Sequence, residues 1–267
     1  MSGESDLIYL YDGSYEGMLC CVYESVYGRE VPADIVPENE AEPTLFCTKY
    51  IETDLEHAQR VQRSLARKIA PAAEDLVRDT FFSCVEGKER KILRFLLFAY
   101  RAGDAALRMR AHDCVAPLYE AQRALRNEVH LLLGFLRFSE YDGVLVARIR
   151  PKNFVLPYLQ PHFCTRFAGE TFLIYDKTHK AALVWQDRRP RLVALDNLET
   201  PPESEEELSF RRMWRTFSDT IAIALRENPR CRMTHCPKRY WSEMWEMPGG
   251  EEEKLKMRSL PEDFTKS

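Results

Sequence analysis

The sequence predicts an α+β protein, with a helical N-terminal half packed with a small antiparallel sheet and flanking helices. Three observations carry this. Apolar residues recur at spacings of three and four from about residue 15 to 138. After Gly143 the period shortens to runs rich in branched and aromatic residues. The chain has 267 residues, 45% hydrophobic and 30% charged, enough for a core that needs no disulfide or structural metal.

The elements follow in order. Leu7–Tyr11 reads as a strand that ends in a turn at Asp12-Gly13. Ser14 can cap a helix over 15–27, whose Met18, Leu19, Val22 and Val26 form one stripe, and Gly28 sits where the helix would end. VPADIVPENEAEP, rich in proline and acid, reads as a loop. Asp54 can cap a helix to Ile69 with Leu55, Ala58, Val61 and Leu65 inward. Pro71 ends it, and helices over 74–84, 89–101 and 113–138 follow, the last with a break expected near Gly134. VLVARIR, TFLIYDK, KAALVWQ and RLVAL read as the strands of the antiparallel sheet. LPYLQPHFCTRF between the first two reads as a helix broken at Pro161. Beyond Pro201-Pro202 a helix over 205–225 is expected to bury Phe210, Met213, Trp214, Phe217 and Ile221. A single domain over 1–248 results, divisible into 1–140 and 141–248, with a flexible tail over 249–267.

Several function classes drop out. No window approaches the roughly 18 consecutive apolar residues of a membrane span, and the start MSGESDL is unlike a secretion signal. Eight cysteines without a repeating frame point to free thiols in a reducing cytoplasm. CxxC, GxGxxG, the P-loop, GxSxG, HExxH and the zinc-deaminase signature are absent, so no cofactor and no metal is expected. Cys231, His235, Cys236 and the distant Cys164 have poor spacing for zinc.

The net charge of -4 hides a polarised chain. Residues 1–58 hold 13 acids and 2 bases, a net of -11, and the remaining 209 hold 29 acids and 36 bases, a net of +7. Three residue sets could carry chemistry. Glu140 can orient Arg137 for a phosphate, or the two form a structural pair at i,i+3. His162 and Arg166, four apart, could face Asp176 at the end of the strand FLIY, with His162 tuned as an acid or base; otherwise they cap the sheet. The segment 226–245 interleaves Arg226, Arg230, Arg232, Lys238 and Arg239 with Tyr240, Trp241 and Trp245, cations for phosphates beside flat rings for unpaired bases. The plainer alternative is a solvated arginine face over core tryptophans.

The blocks YDGSYEGMLCCVYESVYG, FLRFSEYDGVLVARIRP, VLPYLQPHFCTRF, FLIYDKTHKAALVW and NPRCRMTHCPKRYW, in that order, resemble one bacterial family over nearly the whole chain. That family has no known biochemical function and carries a DNA-metabolism or DNA-repair label that rests on gene association. Its members are encoded beside a DNA-repair-type radical-SAM protein, and some are fused to a uracil-DNA-glycosylase-like domain. The resemblance implies a DNA-binding accessory protein whose partner is the radical-SAM or the glycosylase-like protein. Arg137, Arg166, Lys238, Arg239, Tyr240 and Trp241 are the expected nucleic-acid contacts. An enzyme acting on DNA or nucleotides through His162, Asp176 and Glu140 is a second reading. A protein–protein adaptor that docks through its acidic first 58 residues is a third.

Overall fold

The computed structural model describes residues 5–221 and 228–247. It contains 51% helix and 19% strand in separate stretches of chain, an α+β protein. Two compact units divide it, one to Asn127 and one from Glu128.

The first unit opens on β1 (Ser5–Tyr11), followed by α1 (Tyr15–Gly28). The Ser14 side chain accepts the Gly17 N–H at 2.9 Å and caps α1. The left-handed residue that ends α1 is Arg29, at φ 54°, one residue past the glycine expected there. The segment read as a loop contains β2 (Pro32–Pro37), and β3 (Cys47–Tyr50) follows. The three strands form a parallel sheet in the order β2-β1-β3. β2 lies at an edge with its prolines at its two ends, where a missing N–H costs little.

The helices of this unit are α2 (Leu55–Lys68), α3 (Pro71–Phe81), α4 (Lys88–Ala102), the single turn α5 (Ala105–Arg108) and α6 (Ala116–Phe135), which runs on past the unit boundary. Asp54 caps α2 by accepting the Glu56 and His57 N–H groups. Leu55, expected inward, is exposed: it stands in the first turn of α2, ahead of the buried Ala58, Val61 and Leu65. Pro71 opens α3 at its first position, where a proline fits a helix best. α1 packs on α2 and α4, with Met18, Leu19, Val22, Leu65, Phe95 and Leu96 at the centre of one apolar core.

The second unit carries β4 (Phe138–Tyr141), β5 (Val144–Ile149), α7 (Leu156–Arg166), β6 (Thr171–Asp176), β7 (Ala181–Gln186), β8 (Arg189–Ala194), α8 (Glu205–Ile221) and α9 (Pro229–His235). The five strands pair in chain order. The sheet is mixed and not wholly antiparallel: β5 and β6 run parallel, Val144 opposite Thr171 through Ile149 opposite Asp176. α7 makes the crossover that a parallel pair requires. It runs through Pro161 without breaking. α6 likewise passes Gly134 intact, and Phe138 lies in β4.

α8 departs from its expected orientation, with only Trp214 of the five expected apolar residues half-buried. Phe210, Met213, Phe217 and Ile221 are exposed, while Arg211 is buried. Arg211 donates to Glu207 at 2.7 Å and to Ser139 at 2.7 Å, so a polar stripe anchors this helix. The expected continuation to 225, and the tail 249–267, fall outside the described residues. Among the described residues no helix is long and apolar enough to cross a membrane. No disulfide links the eight cysteines.

Candidate nucleic-acid interface and polar centre

Within the first unit, the end of α1, the outer face of α2 and the last turn of α4 line a groove of about 1060 Å³. Arg60, Arg63, Arg67 and Lys68 reach it from α2, Arg29 from the end of α1 and Arg101 from α4. No lining residue is acidic. All six cations are exposed, and none forms an ion pair among the described residues. The local folding follows from the sequence. α2 turns Val61 and Leu65 into the core, and the 3.6-residue period then places 60, 63 and 67 together on the outside.

Tyrosines complete the lining. Tyr23 stacks on His57 with ring centres 3.9 Å apart, and on Tyr27 at 4.2 Å. The Arg60 guanidinium lies 5.0 Å from the centre of the Tyr27 ring. Tyr100 shares a 2.6 Å hydrogen bond with Ser64 and lies under Lys68 at 5.7 Å. This set was not foreseen. The split at residue 58 falls just before Arg60 and so concealed where the cations of α2 go.

In the second unit, a polar centre forms where the parallel strands β5 and β6 end. The Glu128 carboxylate is buried and accepts from the Lys152 and Asn153 N–H groups, the Asn153 amide at 2.6 Å, the Tyr240 hydroxyl at 3.0 Å and the Arg239 guanidinium at 2.9 Å. Burial, offset in part by Arg239, pushes the Tyr240 phenol up to about 12. Glu243 holds Lys177 and Arg150, each at 3.0 Å. At the end of β6, Asp176 is wholly buried and accepts the Thr178 and His179 N–H groups through one oxygen. Its other oxygen lies 2.6 Å from His179 Nδ1. Phe154 meets the imidazole edge-on, with centres 5.4 Å apart.

The expected site residues separate. Asp176 pairs with His179 and not with His162, which is exposed and turns its ring edge to Phe163. Arg137 pairs with Glu246 at 3.1 Å and not with Glu140, because the helix ends at Phe135 and the i,i+3 relation is lost. Glu140 is an exposed residue of β4 whose backbone N–H donates to Glu207. Arg166 is exposed and lies over Phe167. Arg239 and Tyr240 meet each other and are committed to Glu128. Lys238 lies over Trp241, whose indole donates to the Cys236 carbonyl at 2.9 Å. Arg226 falls outside the described residues. Among those residues no group of three or more His, Cys, Asp or Glu is placed to hold a metal ion.

Fold and site together define a two-unit α+β protein with a basic, tyrosine-lined groove in one unit and a buried polar centre in the other. Residues 86–246 match the family model DUF4130, a domain of unknown function, and the chain belongs to that family. No curated protein and no solved structure matches the chain.

Proposed function

We propose that this is a nucleic-acid-binding protein that serves DNA repair or modification as an accessory, with the groove of the first unit as its contact surface. The observation that carries the reading is the six exposed cations without a carboxylate partner around one tyrosine-lined concavity. Cations clustered without counter-charges repel one another, and phosphates relieve that repulsion while releasing condensed counterions. The partner, a radical-SAM or glycosylase-like protein, rests on the family resemblance alone. Binding of a labelled DNA oligonucleotide across a salt series tests the reading. Affinity should fall steeply with salt, and Arg63→Glu with Arg67→Glu should weaken it at least tenfold at low salt. Affinity unmoved by the double variant, or weaker than roughly 10⁻⁴ M at low salt, overturns it.

One observation favours a second reading, an enzyme acting on nucleic acid. The Asp176–His179 pair leaves Nε2 of a partly exposed imidazole as a base at the carboxyl end of parallel strands, where α/β folds hold ligands. Purified protein should then convert damaged or uracil-containing strands without a partner, and His179→Ala should abolish the turnover. Full turnover in that variant rules the role out.

A further inference from the structure

The groove also carries information about which form of nucleic acid it takes. The inference below rests on the binding reading above and narrows it.

Shape comes first. Side chains and helices read a duplex by protruding into its grooves, the wider being about 12 Å across. Here the cations line a concavity. Length points the same way. Arg60, Arg63 and Arg67 span eight residues of helix, seven steps or about 10 Å at 1.5 Å per residue. A rail that short serves a few nucleotides, while one turn of duplex extends about 34 Å.

The aromatic residues decide the matter. A phosphate would engage only a tyrosine's hydroxyl, yet Tyr27, 55% exposed inside the basic groove, has its ring face in a stack. His57, Tyr23, Tyr27 and Arg60 form four successive layers, with contacts of 3.9, 4.2 and 5.0 Å. One end of the stack is His57 of α2, itself part-exposed, and the other end is the guanidinium of exposed Arg60, one turn further along the same helix. A planar guanidinium on a π-stack is a platform for a nucleobase. In a duplex, bases already stack on their neighbours and show only their edges. An unpaired base has a free face.

We propose that the groove binds a single nucleic-acid strand, with an unpaired base on the Arg60–Tyr27–Tyr23 stack and the flanking phosphates on Arg29, Arg63 and Arg67. The chemistry is shared by DNA and RNA strands, so both are assayed.

The test is fluorescence anisotropy of the full chain with three labelled DNA probes of equal length: a single strand, the same strand in a blunt duplex, and the same strand with abasic sites. The RNA strand is the fourth arm. The intact single strand should bind at least tenfold more tightly than either the duplex or the abasic strand. Its log–log salt slope should lie between about -2 and -4, near -0.7 for each cation engaged. Tyr27→Leu and Arg60→Lys should each remove most of the preference over the abasic strand, while Tyr27→Phe keeps it. Both residues are exposed, so these variants leave the core intact. Equal affinity for intact and abasic strands, or a duplex bound as tightly as the single strand, overturns the inference and leaves the binding reading standing. Failure of every probe to bind sinks the binding reading itself. Tighter binding of the RNA arm keeps the inference and assigns the strand to RNA.

Discussion

The buried Asp176 carboxylate lies 2.6 Å from Nδ1 of His179, whose side chain remains 28% exposed. That contact makes Nδ1 the protonated nitrogen of the neutral ring and leaves the lone pair on Nε2. An amide at position 176 would keep its oxygen on the two backbone N–H groups and turn its NH₂ toward the ring. Asp176→Asn should therefore move the proton to Nε2. Long-range ¹H–¹⁵N correlation of the imidazole reads this directly. Persistence of the Nδ1–H form in the variant contradicts the assignment.

Glu128 should be the most sensitive position of the second unit. Its two oxygens serve five donors from the 152–153 segment, Arg239 and Tyr240. Glu128→Ala leaves the buried Asn153 and Tyr240 donors without an acceptor and should cost about 3–5 kcal/mol in urea unfolding. Tyr240→Phe removes one bond and should cost about 1 kcal/mol. Similar costs for both substitutions would show that the network does not converge on Glu128.

Glu89 introduces a pH dependence into the first unit. It is buried, accepts the Tyr11 hydroxyl at 3.1 Å, and burial raises its carboxyl above the usual range. The folded state thus holds this proton more tightly than the unfolded chain does. The stabilisation is complete below about pH 4.3 and fades as pH rises through the folded value. Glu89→Gln keeps an acceptor without the charge. It should match the wild type at about pH 4 and melt higher at pH 7, by roughly 2–4 °C for each kcal/mol recovered. A variant that melts lower at pH 7 refutes this.

Gly17 sits inside α1 at a close approach. A Cβ there would fall 2.3 Å from Asp12 Oδ1 and 2.8 Å from Thr53 Oγ1. Asp12 is held in place by Ser14 and Thr53. Alanine gains up to about 1 kcal/mol in helix propensity, but overpacking costs about 1–3 kcal/mol, so the clash should win. Gly17→Ala should lower the unfolding midpoint, and Asp12→Ala in the same chain should recover part of the loss. Strict additivity of the two changes would show that the contact is not the cause.

Features set by neighbours in the chain were legible. The Ser14 and Asp54 caps are read from one residue and the turn that follows, and both form as expected. Features set by pairing were not. VPADIVP shows two prolines and an acid, yet it is an edge strand, because parallel pairing with β1 leaves no trace in its own composition. The β5–β6 pairing was hidden in the same way, since direction depends on the path of α7. For the site, Asp176 was recognised but its partner was sought fourteen residues upstream, at His162. The nearer signal was the spacing D-x-x-H in YDKTHK, which a turn at a strand end closes into contact. The groove had no local signature at all, for it draws on residues as far apart as Arg29 and Arg101.

The family match begins at Glu86, inside the first unit. α4 lies just past that point, and its Ile92, Leu93, Phe95, Leu96 and Ala99 are buried in one core with Tyr9, Met18, Leu19 and Leu65. The limit of shared sequence is therefore not a limit of autonomous folding. A chain cut at Glu86 would present that apolar face to water and should self-associate or precipitate. It would also lose five of the six groove cations, keeping only Arg101. Any fragment meant to report on the family's shared segment alone has to bring its first eighty-five residues with it.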